Sequence, residues 1–168
     1  MAKQFVIRAG NQEDVPGVDA LLQRSYPRLL KADYPPSVLV TAIPLISQAQ
    51  PQLVGCGTYY VAETVERQII GCGGWTLSNP ASGRSDGYRG NVRHFATDPD
   101  VLRMGVAKAL MARCIRDASD AGMASLDCYS TRTAVPFYES QGFTALREIQ
   151  LELRPGITFP AIAMKRDI

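Results

Sequence analysis

The sequence has almost no excess charge and no long apolar run. Lys and Arg number 18 against 16 Asp and Glu, a formal net charge of +2. No run of basic residues is present, so the composition argues against a nucleic-acid partner. No apolar stretch is long enough to span a bilayer, and residues 1–7 lack the apolar core of a signal peptide. We therefore expect a cytoplasmic protein with neither a nucleic-acid nor a membrane partner.

Metal-binding residue types are also scarce. His94 is the only histidine, and the four cysteines, Cys56, Cys72, Cys114 and Cys128, are dispersed without a C-x-x-C pair. This spacing does not match a zinc site, so no metal is expected. Each cysteine lies among small or apolar neighbours, and we expect buried free thiols.

What the sequence does contain is typical of one globular domain over residues 1–168. Hydrophobic residues make up 46% and charged residues 20% of the chain. Asn11 is a plausible cap for a first helix, Tyr26-Pro27 falls in the following connection, and Ser37 is a plausible cap for a second helix that Pro44 shortens. Strands are predicted over 5–8, 58–62, 68–77, 92–97 and 124–129, with a closing antiparallel pair over 143–153 and 158–165. The pattern predicts an α/β fold with a mixed, largely antiparallel sheet.

The stretch from residue 91 to 121 predicts a strand, a turn of small residues and a helix. The helix shows apolar residues at helical spacing: Ala107, Leu110, Met111, Cys114 and Ala118. The first turn of a helix has unpaired N–H groups and partial positive charge, and Gly105 lets an anion approach the backbone. The turn is thus a candidate phosphate site, although an ordinary tight turn explains it equally well by itself.

A second motif follows about thirty residues downstream. Residues 134–143 read AVPFYESQGF and fit the pattern A-x-x-F-Y-x-x-x-G-F. In this order and spacing, the two motifs resemble those of the GNAT acyltransferases, which also have Q/R-x-x-G-x-G/A at the turn. The resemblance implies a GNAT-like mixed, largely antiparallel twisted sheet of about six to seven strands with about four helices. It also implies that the central strand-turn-helix binds CoA.

The resemblance implies which residues bind acetyl-CoA, the acyl donor of this family. The cosubstrate residues carried over are Phe95, Ala96, Thr97, Leu102, Arg103, Met104, Gly105, Val106, Ala107, Lys108, Thr131 and Phe137. Residues 95–97 match a splayed strand that offers N–H groups to pantetheine and thioester; a plain paired strand is the alternative.

The chain departs from the family pattern at two of these positions. Leu102 stands at the Q/R position, where Arg103 and Lys108 are expected to supply the missing positive charge. Thr131 stands where many relatives have asparagine, and capping of the next helix explains it as well.

Acyl transfer needs a proton donor for the departing thiolate, and Tyr138 occupies the general-acid position of the family. A phenol has a pKa near ~10 and a thiol near ~8.5, so tyrosine is protonated at neutral pH and able to donate. A core tyrosine is the alternative. The sequence does not decide which residue is the general base. Asn91 stands where many relatives have a glutamate and cannot serve as a base. His94 is equally compatible with a base or a structural role, and Glu63 is a more distant candidate. A water relay needs none of them.

The acceptor is expected to be a small molecule or peptide N-terminus bearing a primary amine. Tyr26, Tyr34 and Trp75 are predicted to line an apolar, aromatic acceptor pocket, although core packing explains these residues equally well. An exposed sheet edge or the closing strands are the expected surfaces for a homodimer. The leading hypothesis is an N-acetyltransferase that works by direct attack in a ternary complex. The alternative is a CoA-binding sensor that has lost turnover, favoured by Leu102, Asn91 and Thr131.

Overall fold

One seven-stranded sheet runs through residues 4–168, the part of the chain that the computed structural model describes. The strands are β1 (Phe5–Ala9), β2 (Tyr59–Thr64), β3 (Ile69–Thr76), β4 (Arg89–Thr97), β5 (Ser125–Ser130), β6 (Thr144–Arg154) and β7 (Ile157–Asp167). The helices are α1 (Val15–Leu30), α2 (Pro36–Ile46), α3 (Pro51–Val54), α4 (Val106–Asp120) and α5 (Val135–Ser140). Two short 3-10 helices, Gln12–Asp14 and Pro99–Val101, precede α1 and α4.

The strand order is β1-β2-β3-β4-β5-β7-β6, and every neighbouring pair is antiparallel except β4 with β5. This arrangement confirms the predicted mixed, largely antiparallel α/β sheet. The described residues form five α-helices instead of about four, because the four-residue α3 is too short to show a helical period in the sequence. Strands β1 and β6 form the sheet edges, and a homodimer through either edge stays a prediction.

The sheet separates two apolar cores. On one face, Tyr60 and Ala62 of β2 pack with α4, together with Leu126 of β5. On the other face, Tyr59 and Val61 of β2 pack with α1. This alternation follows from the two-residue period of a strand. It places α4 and α5 on one side of the sheet, and α1 and α2 on the other.

Several local predictions need correction. Helix α1 continues through Tyr26-Pro27 to Leu30. Pro27 lies in the last turn and has no N–H to donate to the Gln23 carbonyl, but Gln23 is exposed, so water can replace this hydrogen bond. Helix α2 begins at Pro36, which suits a first helical position, so Ser37 is not its cap. Cys56 is exposed, whereas the other three cysteines are buried as predicted, and all four are free.

The glycines of β3 mark close neighbours of the backbone. A Cβ at Gly73 would lie 2.6 Å from atoms of the Phe95 ring or closer, and one at Gly74 would overlap the backbone of Thr58 and Tyr59. The strand therefore admits no side chain at these positions, and the ring of Phe95 lies directly on β3. Within residues 4–168, no helix has the length and apolar character needed to cross a bilayer.

Candidate functional site

Strands β4 and β5 separate part of the way along their length. Their parallel pairing includes only three residue pairs and ends at Asn91 with Asp127. Both strands continue, β4 to Thr97 and β5 to Ser130, without pairing to each other. The two strands therefore form a V that opens toward their carboxyl ends, and we call this opening the β4–β5 cleft. The plain paired strand is ruled out, and the splay expected at residues 95–97 is present.

A β-bulge lies in β4 where the β4–β5 cleft begins. Between the pairs Gly74–Arg93 and Cys72–Ala96, strand β4 has two residues, His94 and Phe95, against one on β3. His94 has a φ of 53°, in the left-handed region that non-glycine residues seldom adopt. A bulge redirects the backbone groups of its strand.

Two tyrosine hydroxyls support this bulge from the α1 side of the sheet. Tyr59 donates to the carbonyl of His94 at 2.9 Å, and Tyr26 donates to the carbonyl of Phe95 at 3.2 Å. These bonds fix the carbonyls of the bulge on that side. The sequence shows no local signal for this role of Tyr59, because its partner lies 35 residues away.

The predicted phosphate turn is an open cluster of backbone N–H groups at the start of α4. Gly105 has a φ of 81° and directly precedes the helix, whose first bond runs from Ala109 N–H to the Gly105 carbonyl. Among residues 4–168, no hydrogen-bond partner is formed for the N–H groups of residues 103–108. Among the described residues, no atom lies within 4 Å of a Cβ built on Gly105, so the space beside this residue is open. The arrangement is that of an anion site at a helix N-terminus.

Side chains around this turn add positive charge. Arg103 and Lys108 are exposed, and Leu102, at the family's Q/R position, is 47% exposed. Lys108 also borders a cavity of about 970 Å³ between α4, the end of α5 and the β6–β7 pair. Its lining side chains with formal charge are Lys108, Lys165, Arg166 and Asp167. The cavity therefore extends the anion site with a net positive wall.

Tyr138 lies between the two arms of the β4–β5 cleft. Its ring meets Phe95 of β4 at 6.3 Å, Phe137 at 5.3 Å and Phe143 at 5.4 Å between centroids. Within residues 4–168, the side chain that acts most strongly on the charge of its hydroxyl is the thiol of Cys128 on β5. Burial raises the pKa of Tyr138 well above its usual value, and the Cys128 thiol raises it further. The phenol is therefore protonated at neutral pH.

His94 joins the bulge to helix α2. Its Nε2 lies 2.7 Å from the carbonyl oxygen of Ile46, the last residue of α2. Because a carbonyl only accepts, Nε2 carries the proton and Nδ1 has a free lone pair. The ring stacks on Tyr26 with centroids 6.0 Å apart. Burial lowers the pKa of His94, so the imidazole is neutral at physiological pH.

The other candidate bases lie in settings that do not suit proton abstraction. Glu63, on β2, is ion-paired with Arg8 at 2.8 Å, and this guanidinium lowers the pKa of its carboxyl. Strands β3 and β4 separate β2 from the β4–β5 cleft. Asn91 lies at the closed end of the cleft, where its amide donates to the carbonyls of Thr76 and Leu77.

The predicted acceptor residues have three different settings. Tyr26 contacts the bulge, as described above. Tyr34 is buried: its ring stacks on Phe159 at 4.6 Å, and its hydroxyl donates to the Pro160 carbonyl at 2.8 Å. Trp75 is 3% exposed in the core under α4, where its indole N–H donates to the Tyr60 hydroxyl. Core packing, the alternative that the sequence left open, accounts for Trp75.

Thr131 has a clear structural use. Its hydroxyl accepts from the N–H of Ala134 at 3.1 Å, and its carbonyl accepts from the same group at 3.2 Å. Thr131 thus caps the turn that leads into α5, as the alternative interpretation held. Among residues 4–168, no group of three or more His, Cys, Asp and Glu side chains is arranged to bind a metal ion.

Comparison with known proteins identifies the family. A model of the acetyltransferase (GNAT) domain matches residues 45–165, most of the chain. The chain therefore belongs to the GNAT acetyltransferase family. A search of curated protein sequences returned no match.

Solved structures share the fold along the whole chain. A GCN5-related N-acetyltransferase from Rhodopseudomonas palustris aligns with a TM-score of 0.77 at 16% identity, covering 100% of this chain and 99% of that one. The PaiA N-acetyltransferase from Thermoplasma acidophilum, solved with coenzyme A, aligns with a TM-score of 0.73 at 12% identity over 98% and 99% of the two chains. Ard1 from Thermoplasma volcanium aligns with a TM-score of 0.68 at 18% identity over 100% and 99%.

Proposed function

We propose that this protein is an N-acetyltransferase that moves the acetyl group of acetyl-CoA to the primary amine of a small molecule or peptide N-terminus. The observation that carries the proposal is the β4–β5 cleft, which holds the protonated phenol of Tyr138, together with the open N–H cluster at the start of α4. Donor and acceptor meet in a ternary complex, so the amine attacks the thioester directly.

The N–H groups of residues 103–108 bind the diphosphate of CoA. Because backbone N–H groups bind the diphosphate, its close approach to the backbone at Gly105 matters more than the Q/R side chain that is replaced by Leu102. Arg103 and Lys108 supply the positive charge. The nucleotide end of CoA extends into the cavity beside α4, where Lys165 and Arg166 also lie.

The pantetheine arm enters the β4–β5 cleft and brings the thioester to the bulge. Backbone N–H groups of residues 95–97 polarise its carbonyl as negative charge develops on the oxygen. Fixed donors of this kind lower a barrier by ~3–4 kcal/mol. The tyrosine hydroxyls that hold the carbonyls of His94 and Phe95 keep this strand in place.

Tyr138 is the general acid. The amine nitrogen attacks the carbonyl carbon, the C–N bond forms, and collapse of the tetrahedral intermediate breaks the C–S bond. The phenol of Tyr138 gives its proton to the departing thiolate and is reprotonated from solvent. The proton lost by the amine goes to Nδ1 of His94, whose tautomer is set by Ile46, or to water.

A catalytically weak CoA sensor is the second candidate function. Two observations favour it: Leu102 stands exposed at the Q/R position, and the hydroxyl of Thr131 is already used as a cap. Calorimetry with CoA and a thiol-release assay with acetyl-CoA and a broad amine panel separate the two functions. We expect CoA binding and release with at least one amine. Binding without release for any amine would favour the sensor, and absence of binding would reject both.

A further inference from the structure

Arg93 is a half-buried arginine on β4 that has no acidic partner within residues 4–168. In the described part of the chain, its guanidinium donates to two oxygens, both neutral: Oγ1 of Thr76 at 3.1 Å and Oε1 of Gln50 at 3.4 Å. Burial lowers the pKa of Arg93, and the groups that act on its charge, Cys56 and Tyr59, are a thiol and a phenol. By contrast, Arg8, which is also half-buried, has two carboxylates within 2.8 Å.

The position of Arg93 relates it to the β4–β5 cleft. It lies two residues after Asn91, the last β4 residue that pairs with β5, and directly before the bulge. Its partner Gln50 comes from the connection between α2 and α3. Arg93 is thus on the α1–α2 side of the sheet, opposite to α4 and α5.

The same side of the cleft is polar along β5. The parallel register that pairs Asn91 with Asp127 brings Tyr129 to the level of Arg93, where the strands have separated. The hydroxyl of Tyr129 accepts from the side-chain amide of Asn79 at 3.1 Å. The nearby carboxylate, Asp127, interacts with Arg89 and Lys165 and not with Arg93.

A half-buried guanidinium with only neutral partners has lost hydration without gaining an ion pair. Transfer of a charge out of water is unfavourable unless an opposite charge compensates for it. A carboxylate fits the planar fork of arginine and accepts two charge-assisted hydrogen bonds. The proposed diphosphate site lies on the α4 side of the sheet, so an anion bound at Arg93 is not the diphosphate of CoA. It belongs to another ligand, such as the acyl acceptor.

We propose that Arg93 binds a carboxylate of the acyl acceptor, so that the acceptor is a small amino acid-like amine. This inference rests on the proposed function. Arg93 precedes the two bulge residues by one and two positions along β4. At the rise of a strand, its Cα therefore lies about 3–7 Å from theirs. A short molecule therefore reaches both, with its carboxylate on Arg93 and its amine at the thioester.

The test compares amino acids with their primary amides, which keep the amine and remove the negative charge. In a thiol-release assay with acetyl-CoA, we expect kcat/KM for the best amino acid to exceed that of its amide at least tenfold. Arg93→Gln should remove this preference by raising KM for the acid at least tenfold, while KM for acetyl-CoA changes less than twofold. Arg93→Lys should retain part of the preference, because it keeps the charge but loses the fork.

Arg89→Gln is the matched control. Arg89 is on the same strand, is exposed, and pairs with Asp86 at 3.4 Å. Its substitution should leave the acid-to-amide ratio unchanged. Two results would overturn the inference while leaving acetyl transfer intact. One is equal kcat/KM for acids and amides in the wild type, and the other is a preference for acids that persists in Arg93→Gln.

A binding measurement separates this inference from the proposed function. The protein saturated with CoA is heated with N-acetyl amino acids and with the corresponding N-acetyl amino acid amides. A ligand that binds the folded state raises Tm according to its concentration over Kd. We expect stabilisation by the acids only, and its loss in Arg93→Gln.

The combined outcomes are distinct. Carboxylate-dependent stabilisation without any turnover would reject acetyl transfer and keep the anion site at Arg93. Turnover of amines without carboxylate dependence in either assay would reject the anion site and keep acetyl transfer. Neither turnover nor stabilisation by the acids would reject both.

Discussion

Replacement of Gly105 by alanine tests the proposed diphosphate site most directly. Gly105 has a φ of 81°, and a Cβ there would project into space with no atom within 4 Å. The added methyl group therefore causes no clash within the protein. It is added within the run of N–H groups of residues 103–108, so we expect it to compete for space with a diphosphate bound there.

A matched control exists at the other end of the same helix. Gly122 follows α4 with a φ of 85°, and a Cβ there also meets no atom within 4 Å. The left-handed conformation costs alanine about 1–2 kcal/mol. Alanine also restricts the unfolded chain more than glycine does, which returns about 0.4–1 kcal/mol of stability. Each variant should therefore lose about 1 kcal/mol of stability. For a chain of this size, that lowers Tm by about 2–4 °C.

The two variants should differ in CoA affinity. A hydrogen bond to a charged group contributes about 1.5–3 kcal/mol, so the loss of one such bond at residue 105 weakens binding roughly 10- to 100-fold. Gly122→Ala should bind CoA within twofold of the wild type. Calorimetric titration with CoA gives both dissociation constants, and thermal unfolding checks that the stability losses match.

The outcome that would refute this reasoning is specific. If Gly105→Ala lost as much stability as Gly122→Ala but kept its CoA affinity within twofold, the diphosphate would not contact this turn. An equal loss of affinity in both variants would instead attribute the effect to destabilisation of α4.

Three further predictions concern the cleft and the strand beside it. Tyr138→Phe should lower kcat at least tenfold with CoA affinity and stability nearly unchanged, because within residues 4–168 the side chain that acts most strongly on the hydroxyl is a thiol, a weak hydrogen-bonding group. Unchanged kcat would remove Tyr138 from the mechanism. His94→Gln keeps a donor for the Ile46 carbonyl and removes titration. Burial lowers the pKa of His94 below its usual value of 6.5, so below pH 6.5 the unfolded chain binds a proton that the folded chain does not. The free energy of unfolding therefore decreases as the pH is lowered through this range. Denaturant unfolding between about pH 5 and 7.5 should show a smaller fall for the variant, and identical slopes would contradict the assignment. Gly73→Ala forces the Phe95 ring to move and should cost about 1–3 kcal/mol; a change below about 0.5 kcal/mol in urea unfolding would show that the ring moves freely.

Local patterns in the sequence determined the order of the elements and the two motifs. Apolar residues at helical spacing define α4, and Gly105 and Gly122 mark its two ends because they take backbone angles that other residues avoid. Pro155 and Gly156 likewise form the turn between β6 and β7, the antiparallel pair expected at the end of the chain. Such features depend on residues a few positions apart, so a single sequence shows them.

Tertiary structure alone decided the geometry of the site. The bulge at His94 and Phe95 arises from the pairing of β4 with β3, and the β4–β5 cleft from the end of pairing with β5, and neither leaves a local signal. The sequence left Trp75 open between a pocket and the core, and its burial beside Tyr60 favours the core. Arg93 gained significance only because no carboxylate within residues 4–168 folds against it. These properties depend on which distant residues share one face of the sheet, and a one-residue change in register would alter them all.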